Sequence, residues 1–159
     1  MVLSVLSEID VHALPYYDML KDIRAFFRSI KPQRGQKVFP TGYCHVASKV
    51  ASKVTGLDLV AGDYDRGRGL LVDHGLNFDS QRGLYIDITR DQFDPCAPEV
   101  LVEEVDNSRF FRLPSIKDWS RRWSADQISA IRVASARHLG QYLSWRRNRD
   151  LFLSRQLSR

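Results

Sequence analysis

Residues 70–89, LLVDHGLNFDSQRGLYIDIT, decide the fold of this chain because they predict a β-hairpin. In residues 84–89, a leucine and two isoleucines alternate with other side chains, which is the period-two pattern of a strand with two distinct faces. The polar segment 79–83, DSQRG, predicts the turn that joins this strand to a preceding one over residues 70–78. Three further strands are predicted, the last two more weakly, over residues 57–64, 100–105 and 109–113.

Two helices are predicted ahead of these strands. Apolar residues recur with a period near 3.6 over residues 15–30, and the proline at the start of this segment suits a first helical turn. A second helix is predicted from Cys44 to about residue 54, with Gly56 as its stop. Helices that precede a run of strands indicate an α+β fold in which the N-terminal helices pack on an antiparallel sheet.

A long helix is predicted at the other end of the chain. Ser124 and Gln127 form a capping-box pattern that opens a helix over residues 124–155, with a roughly continuous apolar face. The length fits a single domain over residues 1–159, with a core over residues 38–113.

The charge of +5 is unevenly distributed. Residues 121–159 carry nine arginines and two aspartates, and the rest of the chain sums to −2. The first residues lack the positive start of a signal peptide, and no apolar run is long enough to span a membrane. Two cysteines form no disulfide framework. We therefore expect a cytoplasmic protein without membrane contact, and export by a signal-less secretion system remains open.

Cys44 is the first candidate catalytic residue. It lies in the segment TGYCHVAS, after a glycine-containing loop and at the start of the predicted second helix. The N–H groups and partial positive charge of a helix N-terminus stabilise a thiolate and can hold an oxyanion. Gly42 permits close approach of a substrate backbone. This position therefore predicts a nucleophilic cysteine.

His74 and Asp87 are the candidate partners of this thiol. They lie on the two strands of the predicted hairpin, which can bring the imidazole beside the carboxylate. A nucleophilic cysteine needs a base, and a carboxylate on the second ring nitrogen holds the base in the productive tautomer. His45 is expected to point about 100° away from Cys44 around the helix, and Asp73 is interpreted as a solvated residue at a strand start.

The segments GYCHVAS and YIDITRDQF resemble the core of the papain-like superfamily in its transglutaminase-like arrangement. The second segment is similar to a motif of small bacterial and phage proteins of this type. The resemblance covers roughly residues 38–94. It implies a cysteine hydrolase or acyl transferase with Cys44 as nucleophile, His74 as base and Asp87 as third member. It supplies no clear counterpart of the papain oxyanion glutamine, and Gln36 is the nearest.

This resemblance favours an amide substrate within a protein or peptide, with peptidase or glutamine-deamidase chemistry and no cofactor. Further contacts to substrate are predicted for Gly42, Tyr43, Asn77 and Gln92. A zinc site is not expected, because the cysteines and histidines show no compact ligand spacing.

Two alternative functions stay open. One is a toxin or effector with the same chemistry, delivered into another cell. The other is a non-catalytic protein that binds nucleic acid or an acidic partner through Arg146, Arg147 and Arg149.

Overall fold

The computed structural model of the protein describes residues 9–158 and confirms the α+β class. Four α-helices and five strands are present in this part of the chain. In chain order they are α1 (Tyr17–Ser29), α2 (Cys44–Thr55), β1 (Asp58–Asp65), β2 (Leu71–Asp79), β3 (Leu84–Asp87), β4 (Leu101–Glu104), β5 (Phe110–Arg112), α3 (Ile116–Ser120) and α4 (Ala125–Leu157).

The five strands form one antiparallel sheet in the order β4-β3-β2-β1-β5. The predicted hairpin is β2 and β3, with Asn77 opposite Ile86 and Asp79 opposite Leu84. The main core lies between the sheet and the helices, and its largest buried members include Leu20, Phe27, Val50, Ile86 and Tyr142. Burial of this apolar surface is the main stabilising contribution to the fold.

Strand β3 and the short helix α3 differ from what the sequence predicts. Strand β3 ends at Asp87 instead of residue 89, because the next residues turn back and the N–H of Thr89 donates to the Asp87 carboxylate at 2.8 Å. The short helix α3 was not predicted, since five residues are too few to show an apolar period.

The long helix α4 begins at the predicted capping box, where Gln127 N donates to Ser124 Oγ. Its apolar face is shorter than predicted. Tyr142 is fully buried, whereas Leu143, Leu151 and Phe152 are each more than half exposed. The C-terminal end of α4 therefore extends beyond the core. No helix in the described part of the chain has the length and apolarity needed to cross a membrane.

Candidate active site

Cys44 is the first residue of α2 and is only 6% exposed. A turn places it there, closed by the Tyr43 N–H donating to the Pro40 carbonyl at 3.0 Å. Gly42 occupies the left-handed region with φ of +74°, which favours glycine at this position. The first N–H groups of a helix have no intrahelical acceptor. The predicted setting of Cys44, a thiol at a helix N-terminus, is confirmed.

His74 and Asp87 meet as the hairpin predicts. Nε2 of His74 lies 2.6 Å from Oδ2 of Asp87, and the two residues are 0% and 2% exposed. The imidazole is packed edge-on against Phe93 and Phe110. Among the described residues, Nδ1 of His74 has no hydrogen-bond partner of ordinary geometry. It is the ring nitrogen that the pair with Asp87 leaves unused, and His74 and Cys44 each shift the pKa of the other.

The Asp87 carboxylate is saturated with donors. Oδ1 accepts from the N–H and the hydroxyl of Thr89 at 2.8 and 3.1 Å, and Oδ2 accepts from Arg90 Nε at 2.9 Å as well as from His74. Arg90 is itself buried and paired with Glu103. Burial would raise the pKa of Asp87, but His74, Arg90 and the Thr89 N–H outweigh burial and hold this pKa well below its usual range. The carboxylate therefore stays ionised and orients the imidazole.

The rest of the IDITRDQF segment connects the end of β3 to α1 and to the turn before α2. Asp91 forms an ion pair with the buried Arg24 of α1, whose Nη1 also donates to the Ile88 carbonyl at 2.6 Å. Oε1 of Gln92 accepts from the Gly42 N–H at 3.3 Å, two residues before Cys44. The Gln92 Nε2 is buried and has no partner among the described residues.

A second histidine–carboxylate pair lies beside Cys44, and the sequence interpretation missed it. Nε2 of His45 is 2.5 Å from Oδ2 of Asp73, so His45 is paired and Asp73 is not a freely solvated residue. The close packing depends on Gly75, because a Cβ there would lie 2.5 Å from the His45 ring. A glycine inside a strand signals such close approach of another group. That signal was available in the sequence.

The two pairs lie on opposite faces of β2, since successive side chains of a strand alternate. Asp73 projects towards α2, as does Asn77, whose Nδ2 donates to the Ser48 carbonyl at 2.9 Å. His74 projects to the other face, against Tyr64 and two phenylalanines. Because α2 begins beside β2, Cys44 interacts with the histidine of each pair.

These interactions set the protonation of the site. Burial disfavours ionisation of the Cys44 thiol, but the interactions with His45 and His74 outweigh burial and lower the thiol pKa to about 6. Burial also lowers the pKa of His74, yet the Asp87 carboxylate and the Cys44 thiolate raise it to about 9. The pKa of His45 is likewise raised to about 9, against burial, by Asp73 and Cys44. Near neutral pH the site therefore holds a thiolate beside two imidazolium groups.

The other predicted site residues have identifiable contacts. Tyr43 packs among Phe27, Phe39 and His138, and the Asn77 amide joins β2 to α2. Gln36 is exposed, and its Oε1 accepts from the Gln33 N–H. The structure thus brings Gln92, and not Gln36, to the turn that carries Cys44.

The arginine cluster of α4 is partly used within the fold. Arg149 forms a two-point ion pair with Asp22 of α1, at 2.5 and 2.8 Å, and stacks over Trp145. Trp145 in turn packs on Phe26 and Tyr142. Arg147 is exposed and Arg146 is half-buried. Of the three arginines predicted to bind nucleic acid or an acidic partner, Arg149 is therefore paired within the fold, and Arg146 and Arg147 remain.

Comparison of the chain with protein-family models, with curated proteins and with solved structures finds no match. Within the described residues, no group of three or more histidine, cysteine or acidic side chains is arranged to hold a metal ion. Both cysteines are free thiols, with Cys96 exposed.

Proposed function

We propose that this protein is a cysteine-dependent hydrolase or acyl transferase that acts on an amide bond in a peptide or protein. The single observation that carries the proposal is the buried His74–Asp87 pair at 2.6 Å, whose carboxylate is saturated with donors and whose imidazole shifts the pKa of a thiol at the N-terminus of α2. The proposal includes the fold family. Cysteine, histidine and aspartate follow one another on a helix, a strand and a second strand, and this order resembles the papain-like or transglutaminase-like core.

In the proposed reaction, His74 takes the Cys44 proton and the thiolate attacks the amide carbonyl carbon. The tetrahedral intermediate collapses when the C–N bond breaks, and protonated His74 gives its proton to the leaving amine or ammonia. A thioester with Cys44 remains. Water, deprotonated by His74, attacks the thioester and releases a carboxylic acid and the thiol, which is proteolysis or glutamine deamidation. An amine in place of water completes acyl transfer.

The negative oxygen of the tetrahedral intermediate needs donors, and two are available near Cys44. The first turn of α2 offers backbone N–H groups that lack intrahelical acceptors. Gln92 offers a side-chain amide whose oxygen is held by the Gly42 N–H, which leaves Nε2 for a substrate oxygen. We assign Gln92 the part that the glutamine of papain-like enzymes takes, although it comes from the loop after β3.

A product survey tests this proposal although the substrate is unidentified. A proteome-derived peptide mixture is incubated with the wild-type protein or with Cys44→Ala and then compared by mass spectrometry. We expect new cleavage products, or conversion of glutamine to glutamate, with the wild type alone. Addition of a primary amine separates transfer from hydrolysis. Identical product profiles for the two proteins would contradict amide chemistry at Cys44.

A further inference from the structure

Two cavities lie along the seam between α2 and α4. The first has a volume of about 310 Å³ and is lined by His45, Ser120, residues of β1 and residues of α4. The second, of about 320 Å³, continues along the same two helices. Lys49 and Arg132 line both cavities, so the two are adjacent, and we call them together the α2–α4 groove.

The α2–α4 groove combines an apolar floor with a cationic rim. His45, Lys49 and Lys53 follow one another at intervals of four residues and therefore share one face of α2. Arg132 adds a cation from α4. No carboxylate of the described residues lines either cavity. The floor is built from aliphatic side chains, namely Leu59, Ala61, Ile128, Ile131, Val50 and Leu139.

We infer that the α2–α4 groove binds an extended peptide that carries acidic side chains at alternate positions. Lys49 and Lys53 are about 6 Å apart along α2, the rise of four helical residues. His45, one turn earlier, is already paired with Asp73. Alternate side chains of an extended chain repeat at about 6.7 Å, which matches the interval between the two lysines. Apolar residues between the acidic ones point the opposite way, towards the aliphatic side chains of α4. A fatty carboxylate carries one charge and leaves the remaining cations unmatched.

The groove reaches the chain neighbour of the proposed catalytic cysteine. His45 lines the first cavity and is at the same time the chain neighbour and interaction partner of Cys44. A peptide in the groove would therefore contact His45, the residue next to the thiol, although Cys44 itself is not among the lining residues of either cavity. The identification of this peptide as substrate depends on the proposed function, whereas its binding does not.

Fluorescence anisotropy tests the binding in a Cys44→Ala background, which removes turnover. The probe is a short fluorescein-labelled peptide of alternating glutamate and leucine, and its neutral counterpart has glutamine in place of glutamate. We expect the acidic probe to bind and the neutral probe to bind at least about tenfold more weakly. Joint replacement of Lys49, Lys53 and Arg132 by glutamine is expected to weaken binding of the acidic probe about tenfold.

A matched control removes the same charge elsewhere on the protein. Arg34, Arg137 and Arg155 are exposed residues that line neither cavity, and their joint replacement by glutamine is expected to change Kd less than about twofold. Equal losses of affinity for the acidic probe in the two triple variants, or equal binding of the acidic and neutral probes, would contradict peptide binding in the α2–α4 groove. Displacement of the probe by dodecanoate at lower concentration than by unlabelled peptide would assign the groove to a lipid instead.

The same probe distinguishes the two proposals. If the wild-type protein binds the acidic peptide through the groove yet produces no Cys44-dependent product from any peptide mixture, the groove stands and the amide chemistry fails. If products form without preference for acidic peptides and the groove variants turn them over normally, the groove fails and the chemistry stands.

Discussion

The His74–Asp87 pair and the His45–Asp73 pair interact with the same thiol from opposite faces of β2, but their surroundings differ. The side chains of the first pair are 0% and 2% exposed, and Asp87 receives two hydrogen bonds from Thr89 and one from Arg90 in addition to His74. The side chains of the second pair are 12% and 27% exposed, and His45 lines a cavity. The fixed geometry of the buried His74–Asp87 pair is suited to a general base. The partly exposed position of the His45–Asp73 pair is suited to a group that contacts substrate.

Under the proposed function, this difference gives the two histidines separate tasks. His74 is held in one orientation, as a proton-transfer partner must be. His45 lowers the pKa of the thiol and also lines the α2–α4 groove. Each pair can be broken separately by substitution.

The largest expected effect is on turnover. His74→Gln should lower kcat/KM for a Cys44-dependent product by about 10³-fold, because the base is lost. His45→Gln should lower it by about tenfold, because only the electrostatic stabilisation of the thiolate is lost. Both rates are measured on the same peptide product, with circular dichroism to check folding. A greater loss in His45→Gln would reverse the assignment.

The second effect is on stability. Asp87→Asn leaves the buried His74 and Arg90 without their shared anion, so we expect the free energy of unfolding to fall by about 3–5 kcal/mol. The same change at Asp73, which is partly exposed, should cost about 1 kcal/mol. Urea denaturation followed by tryptophan fluorescence measures both. Equal costs would show that the two carboxylates are equally buried in solution.

The third effect concerns Gly75, which affects only the second pair. Gly75→Ala forces the His45 ring to move, because the new methyl group would lie 2.5 Å from its Nδ1. We expect a cost of about 1–3 kcal/mol and a rise in the thiol pKa similar to that in His45→Gln. Combining Gly75→Ala with His45→Gln should then raise the thiol pKa little further. Full additivity would mean that Gly75 acts through another contact.

The smallest effect is on the pH dependence of stability. The folded-state pKa of each histidine is raised to about 9, so its contribution is complete below about pH 6.5 and is lost as pH rises through 9. The folded-state pKa of Cys44 is lowered to about 6, so its contribution is complete above about pH 8.5 and is lost as pH falls through 6.

The contributions of the two histidines to the free energy of unfolding fall as pH rises, whereas the contribution of the one thiol increases. Between about pH 7 and 8.5 the free energy of unfolding should fall by about 1 kcal/mol per pH unit. In His45→Gln only one histidine opposes the thiol, so the slope should be shallower than in the wild type. Urea titrations across this range measure the slope. A wild-type free energy of unfolding that rises with pH would contradict the protonation of both His45 and His74.

Much of the fold was predictable because its signals are local. The alternation in residues 84–89, the turn at 79–83 and the Ser124 capping box each act over a few residues, and each appears in the structure as a hairpin or a helix start. The end of β3 was not predicted correctly, because it depends on hydrogen bonds from Thr89 and Arg90 to a side chain of the strand itself. The exposed end of α4 depends on how far the core extends, which periodicity does not reveal.

The candidate site was predictable only in part. The contact of His74 with Asp87 follows from the hairpin, since both belong to neighbouring strands. The contact of His45 with Asp73 joins a helix to a strand, and it depends on how α2 packs over Gly75. Gln92 was predicted as a site residue, but its link to Gly42 requires the loop after β3 to fold back to the start of α2.

The most direct test of the account is the pH profile of Cys44 alkylation. In a Cys96→Ser background, the rate of reaction with iodoacetamide is followed by intact mass spectrometry from acid to alkaline pH, so that only Cys44 reports. We predict that the rate rises with a midpoint of about pH 6 and that His74→Gln and His45→Gln each move the midpoint upward. A wild-type midpoint near the ordinary thiol value of about 8.5 would contradict an activated thiolate.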